Sequence, residues 1–297
     1  MTATMTRARL DSELVRRGLA RSRGHAAQLL ASGRVRVDGA AVRRGATTVD
    51  DRQDVHVETD PSDPGYASRA AHKLADALDG YGTAGPVVAG RHCLDAGAST
   101  GGFTDVLLRR GAAHVVAVDV GHGQLVPRLR DDPRVEVREH VNVRDLRSGD
   151  VVPAPGLVVA DLSFISLTLV IDPLLAVAED AADLVLLVKP QFEVGRERLG
   201  SDGVVRDPRL WAEAVRTVCE RAVASGAVVR DVRPSTLPGT HGNVEFVLWA
   251  QGPGAAAAGA SSSDVAAAVA AAVATALDPD TVRHGAGQRA SGAGGAR

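Results

Sequence analysis

Lysine is nearly missing from this chain. Of its 34 basic residues only Lys73 and Lys189 are lysine, and the rest are arginine. A composition heavy in Ala, Arg and Gly explains a general scarcity through pressure against lysine codons. It leaves open whether the two survivors have a task, because arginine cannot lose its proton near neutral pH whereas a crowded or buried lysine can. Cysteine is as sparse. Cys93 and Cys219 stand alone in apolar stretches, which argues against a disulfide framework and against metal-type spacing, and marks both as buried spectators. No uncharged apolar run of about eighteen residues precedes the Ala-rich tail, and the opening MTATMTRARLDSEL lacks the apolar core of a signal peptide. A soluble, cytoplasmic protein is expected, with no membrane partner and no metal.

What is present begins with an uneven charge. The formal net charge is −2, yet residues 1–44 hold ten arginines against Asp11, Glu13 and Asp38, a local excess of +7. A small basic module joined to an acidic body suggests attachment to a polyanion. At 297 residues the chain has room for one large domain or two unequal ones. Within residues 1–60, Leu10, Leu14 and Val15 form a helical stripe that ends near Gly18. Ser22 can cap a second helix with Ala26, Leu29 and Leu30 inward and Gly33 as its stop. VRVDGAAV then alternates around Asp38-Gly39, a hairpin signal, so the module reads as small and α+β. Arg16, Arg17, Arg21, Arg23, Arg34 and Arg36 gather at the helix ends and first strand, with Arg9 just ahead. Arginine suits bidentate phosphate contacts and stacking on exposed bases, although charge alone equally allows a solvated basic face.

Residues 61–66 read as a linker, and residues 67–252 as the body. SRAAHKLADALDGYG is a helix with Ala71, Leu74, Ala75 and Leu78 inward, which sets Lys73 in its first turns. RHCLDAGASTGGFTDVLLRRGAAHVVAVDVG is the most informative stretch. It gives a short buried strand ending at Asp95 and Ala96, a turn over Gly97, Ala98, Ser99, Gly101 and Gly102, and an amphipathic helix from Phe103. A second strand follows, ending at Asp119. Glycines let a backbone approach a ligand, and the terminal acid can meet ribose hydroxyls. The dinucleotide pattern G-x-G-x-x-G is absent. Asp95 would repel a pyrophosphate but attract a cationic amino or sulfonium group, so S-adenosylmethionine is the expected cofactor rather than NAD.

The alternation continues. LVVADL is a strand ending in Asp161, and DLVLLVKP is a strand ending at Lys189-Pro190. A long helix and two further strands follow, the last containing Glu245 and expected to run antiparallel. Ligands sit at the carboxyl ends of parallel strands, so Asp161, Lys189 and Glu245 reach one edge. The segments SRAAHKL, CLDAGASTGGFTD, VDVGHGQL, NVRDL, ADLSFISL, LVKPQFEVGRE and HGNVEFVLW together resemble the FtsJ-like RNA ribose methyltransferases, and more narrowly the TlyA (hemolysin A) family. The N-terminal RLD…L…RGLA.SR..A…L…G.V.V.G resembles a small RNA-binding module of ribosomal proteins, pseudouridine synthases and tyrosyl-tRNA synthetases. The resemblance implies a doubly wound, mostly parallel, seven-stranded α/β sheet of Rossmann-like methyltransferase type behind that module. It implies Lys73, Asp161, Lys189 and Glu245 as a catalytic tetrad, with Lys189 as base. It places Asp95, the Gly97–Gly102 turn and Asp119 around S-adenosylmethionine, with Asn142 flanking the adenine. The implied substrate is a cytidine ribose of ribosomal RNA within ribosomal subunits, not DNA.

Two readings compete: a non-catalytic rRNA-binding assembly factor, and a membrane-active hemolysin, which nothing in the sequence supports. The polar loop 191–208, with Arg196, Arg198 and Arg206, fits a lid or RNA contact as well as a solvated segment. Residues 253–297 are low in complexity; disorder is expected there, with at most one loosely attached helix. Nothing in the sequence fixes the oligomeric state, and a monomer is expected.

Overall fold

A computed structural model of the chain describes residues 7–20, 23–58, 64–255 and 262–278. Arg21, Ser22, residues 61–63 of the expected linker and most of the expected disordered tail lie outside the described residues. The chain divides into two units, Met1–Gly65 and Tyr66–Arg297.

The first unit holds β1 (Arg7–Arg9), α1 (Leu10–Arg16), α2 (Arg23–Ala31), β2 (Val35–Val37), β3 (Ala40–Ala41), β4 (Thr48–Asp50) and β5 (Val55–Val57). β1 pairs with β4, and β3-β2-β5 form a second antiparallel sheet. Asp38 and Gly39 both have positive φ (49° and 80°), the geometry a two-residue hairpin between right-twisted strands requires. Leu10 and Leu14 are fully buried, but Val15 is 36% exposed, so it does not belong to the inner stripe. Four residues along a helix return to the same face; five do not.

The second unit holds α3 (Ala71–Tyr81), β6 (His92–Ala96), α4 (Gly102–Arg109), β7 (His114–Val118), α5 (Pro127–Arg130), β8 (Val135–Arg138) and β9 (Leu157–Ala160). It continues with α6 (Ile171–Val177), β10 (Asp183–Val188), α7 (Pro190–Glu193), α8 (Pro208–Ala224), β11 (Val228–Pro234), β12 (Phe246–Gln251) and α9 (Ser262–Leu277). Seven strands form one sheet in the order β11-β12-β10-β9-β6-β7-β8, parallel except around β12. Strands facing helices on both sides have no polar face. In β10, Leu184, Leu186 and Val188 enter one core layer, while Val185 and Leu187 enter the other. The chain winds outward from β6 through β8, then returns to β9 on the other side of β6. The crevice beyond the carboxyl ends of β6 and β9 is where such sheets take ligands.

Helix α9 corrects the expectation for the tail. Val265, Val269, Ala272, Val273 and Ala276 are buried, and they join the core layer that contains α8 and β11. The stripe consists of valine and alanine, so its pattern is faint in the sequence, yet small side chains let a helix approach closely. Both cysteines are buried, which pushes their thiols up to about 12. No described helix is long and apolar enough to cross a membrane.

Candidate active site

The turn after β6 is held mainly by its own chain. Gly97 has φ 84°, and a Cβ there would stand 2.8 Å from the Asp161 carbonyl oxygen. Gly101 has φ 97°, and a Cβ there would press into Leu125 and Leu129. These glycines are therefore required by packing as much as by any ligand. Gly102 opens α4, and Phe103 behind it is buried. Ser99 takes φ 48°, a conformation that costs a non-glycine residue. Its N–H donates to Asp119 Oδ2 at 2.8 Å and its hydroxyl faces Gln124 Oε1 at 3.1 Å, while Gly121 N–H donates to Asp119 Oδ1 at 2.7 Å. Asp119 thus braces the turn from the end of the neighbouring strand. Asn142 caps the 3-10 turn Val143–Asp145, accepting from Arg144 N–H at 3.1 Å.

Asp95 departs from expectation. It is fully buried beneath the turn, lines neither chamber described below, and accepts from Thr104 Oγ1 at 2.6 Å. Its second oxygen is buried without a partner. Burial pushes the carboxyl up to about 7 against the Thr104 hydrogen bond, and the charges of Asp161 and Asp119 push the same way. Its direct influence is on the turn rather than on the cleft wall.

Two adjoining chambers open above the switch point. The larger, about 700 Å³, is lined by Gly97, Ser99, Asp119, Asn142, Asp161 and the loop 162–166, among others. The smaller, about 310 Å³, is lined by Arg69, Ala98, Gly102, Phe103, Asp161, Ser163 and Lys189 among others. Gly97, Ser99, Asp161 and Ser163 belong to both, so these residues form a shared wall. Gly101 lies outside either lining.

The four residues expected to converge form two ion pairs. Lys73 on α3 meets Glu245 Oε2, with both side chains buried. Lys189 Nζ lies 2.7 Å from Asp161 Oδ1, an ion pair whose angle falls outside good hydrogen-bond geometry, and donates to Ser163 Oγ at 3.0 Å. The pairs stand side by side because Asp161 follows β9, Lys189 follows β10 and Glu245 precedes β12, three neighbours in the sheet. The Gln191 amide N–H reaches Glu245 Oε1 at 3.5 Å, on the side away from Lys73's partner oxygen. Among the described residues, no cluster of His, Cys, Asp or Glu is placed to hold a metal ion.

Sequence reasoning missed Ser163, Arg69, Gln191 and Phe164. Phe164 is 91% exposed with φ 64°, and its ring lies 5.2 Å from that of Phe192. An aromatic so exposed, on a strained backbone at the cleft mouth, gains little from burial. Its signal was only its place within ADLSFISL, since neither period nor charge marks it.

In the first unit the expected arginine cluster is largely engaged internally. Arg9 pairs with Asp11, Arg16 with Glu13 and Asp51, and Arg36 with Glu58. Arg17 holds Glu13 and the carbonyls of Asp50 and Gln53. Arg23 donates to Ser12 Oγ at 2.8 Å and Arg34 to the Glu58 carbonyl at 2.9 Å. Arg16 and Arg17 hold the buried Glu13 carboxyl down at about 2, against the opposing effect of burial. Arg17 therefore serves the fold first. Arg7, Arg44 and Arg52 are exposed, and no side-chain partner is seen for their guanidinium groups among the described residues.

Residues 66–252 match the FtsJ-like methyltransferase family, and residues 8–55 match the S4 domain. The chain is 55% identical over 243 residues to the 16S/23S rRNA (cytidine-2′-O)-methyltransferase TlyA of Mycobacterium tuberculosis, covering 82% of this chain and 89% of that one. It is 35% identical to Hemolysin A of Brachyspira hyodysenteriae, covering 80% and 98%. A solved hemolysin-like protein from Streptococcus thermophilus superposes with TM-score 0.68 at 34% identity, covering 91% of this chain and 96% of that one. A methyltransferase sheet, a switch-point cleft and these relatives agree: the chain belongs to the TlyA family, an FtsJ-like, S-adenosylmethionine-dependent methyltransferase domain preceded by an S4 domain.

Proposed function

We propose that this enzyme methylates the 2′-hydroxyl of a cytidine in ribosomal RNA, with Lys189 as the base. The observation that carries the reading is the Lys189–Asp161 pair, with Asp161 on the wall shared by the two chambers and Lys189 lining the smaller, backed by the Lys73–Glu245 pair beside it. The donor set fits S-adenosylmethionine. The larger chamber is walled by Asp119 and Asp161, an arrangement suited to a ligand with ribose hydroxyls and a positive centre. When bound, that cofactor supplies a methyl group on a sulfonium.

The chain's own residues do the rest. Asp119 offers remaining lone pairs to ribose hydroxyls, and Asn142, with Val143, walls the far end. Lys189, in its neutral form, accepts the proton that the attacking hydroxyl gives up, while Asp161 and Ser163 hold its Nζ at the wall. The Lys73–Glu245 pair anchors α3 against the strand ends. The exposed Phe164 ring offers a platform on which an unstacked base can rest. Holding hydroxyl and methyl in line contributes up to about 7–11 kcal/mol of barrier lowering. The S4 domain would engage folded ribosomal RNA, with Arg7, Arg44 and Arg52 as its unengaged cations. We read both subunits as substrates, given the two named for the Mycobacterium tuberculosis relative, and the site of action as the cytoplasm.

The S4 domain also favours a second reading, an assembly factor that binds rRNA without modifying it. Ribosomal subunits incubated with the protein and radiolabelled S-adenosylmethionine separate the two. Incorporated label, lost by a factor of about 10²–10⁴ in Lys189→Arg, supports the enzyme and its base. Binding without label supports the assembly factor, and wild-type turnover by Lys189→Arg removes Lys189 as base. Mass spectrometry of RNase fragments then locates the methylated nucleotide.

A further inference from the structure

Four residues beyond Lys189, the short helix α7 ends in Glu193, a half-buried carboxylate outside the lining of both chambers. Its two oxygens are both used. Oε1 accepts the Leu167 backbone N–H at 2.9 Å, and Oε2 accepts the Ser166 hydroxyl at 2.5 Å. Ser166 is itself the cap of the 3-10 turn Leu167–Leu169, accepting from Thr168 N–H at 3.1 Å. Glu193 therefore grips the start of that turn, where N–H groups otherwise lack acceptors.

These contacts close a ladder between two segments. At one end Lys189 meets Asp161 and Ser163, in the middle the Phe192 ring lies 5.2 Å from Phe164, and at the far end Glu193 holds Ser166 and Leu167. The first segment carries the proposed base. The second, residues 162–169, supplies much of the larger chamber's wall. Burial raises the Glu193 carboxyl while the Ser166 and Leu167 hydrogen bonds oppose it, so those two donors are what make a charge tolerable there.

The geometry points to Glu193 as a positioning residue for methyl transfer: by anchoring Ser166 and Leu167 it holds the 162–169 wall against the turn that bears Lys189, and so sets the shape of the cofactor chamber. This rests on the methyltransferase reading. Glu193 touches no reacting atom. Removing its carboxylate frees the wall at one end while leaving the Lys189–Asp161 contact at the other end in place. Cofactor affinity then falls more than the chemical step slows.

The test compares Glu193→Ala, Glu193→Gln and Ser166→Ala in the full chain. It measures S-adenosylmethionine Kd by calorimetry without RNA, KM and kcat on ribosomal subunits, and Tm. Glu193→Ala is expected to raise Kd and KM for S-adenosylmethionine at least about tenfold with kcat changed less than about threefold. Glu193→Gln keeps an acceptor for Leu167 N–H and a polar group facing Ser166, and is expected within about threefold of wild type. Ser166→Ala, which loses one of the two anchors, should fall between. A lowered kcat at unchanged KM and Kd, with Tm falling in proportion, would be the mark of a merely structural carboxylate and overturns the proposal. So does a Glu193→Gln variant as impaired as Glu193→Ala. If Glu193→Ala fails to fold, Ser166→Ala decides, and an unchanged Kd in that variant overturns it. Failure of the wild type to label RNA defeats the methyltransferase reading instead, and leaves the calorimetric comparison intact.

Discussion

Asp95 makes the sharpest physical prediction in the molecule. It is fully buried, one oxygen has no partner, and burial pushes its carboxyl up to about 7 from an ordinary value of 3.8. Between those two values the folded chain binds a proton that the unfolded chain has released. Stability therefore falls as pH rises through that window, and Asp95 contributes no further change above about 7. Asp95→Asn is a neutral near-isostere that keeps an acceptor for the Thr104 hydroxyl, so it mimics the protonated acid. A shift of about three units corresponds to about 4 kcal/mol. Relaxation of the surroundings reduces this, and about 2–4 kcal/mol is the expected gain at pH 8.5. For a domain of this size that amounts to a Tm rise of about 5–15 °C. At pH 4 the two proteins should unfold within about 3 °C of each other. The assay is thermal unfolding of cofactor-free protein, followed by circular dichroism from pH 4 to 9. An Asn variant whose Tm difference from wild type does not grow with pH would refute the reasoning, since it would mean that Asp95 ionises freely where it sits.

The remaining predictions concern the buried ion pair and the tail. Removing only the carboxylate, in Glu245→Ala, leaves the buried Lys73 amine without its counter-charge and should cost about 3–5 kcal/mol by urea denaturation. Replacing both partners, in Lys73→Met with Glu245→Met, should recover most of that stability without recovering methyl transfer. A double variant as unstable as the single one would mean that the pair stabilises the fold on its own account. Val269→Ala, in the middle of the α9 stripe, should lower stability by about 1–2 kcal/mol, read as a shift in urea midpoint; no shift would return α9 to a loose appendage.

How much of this was legible in the sequence depends on whether the signal was local. The β10 run LVLLV announces a strand covered on both faces, and Asp38-Gly39 announces its hairpin, because backbone period and turn chemistry are properties of neighbouring residues. The Gly97–Gly102 turn was legible too, though not its cause: the space at Gly97 is taken by the Asp161 carbonyl, over sixty residues away. In the arginine cluster, charge counting could not see that Asp51 and Glu58 fold back onto Arg16 and Arg36. Phe164 and the packing of α9 against the core were missed for opposite reasons. One is an isolated aromatic with no pattern around it, and the other hides its stripe among alanines that differ little from the valines they accompany.

The candidate site itself depends on the direction of β12, which the sequence suggested through its short connection to β11. Glu245 lies immediately before that strand, and Lys189 immediately after β10. The register pairs Val188 with Phe246 and Asp183 with Gln251, so the strands run in opposite senses and the two site residues leave the sheet at the same edge. Were β12 parallel, like the other neighbours of β10 and β9, its first residue would sit at the opposite edge. Six residues at about 3.3 Å each put that edge roughly 16–20 Å away, far beyond the reach of any side chain. Lys73 would then face the strand ends without a carboxylate, and α3 would lose the contact that seats it beside the cleft. The single reversed strand is thus what brings Glu245 to Lys73 and sets that pair beside Lys189 and Asp161, whose own strands are parallel neighbours.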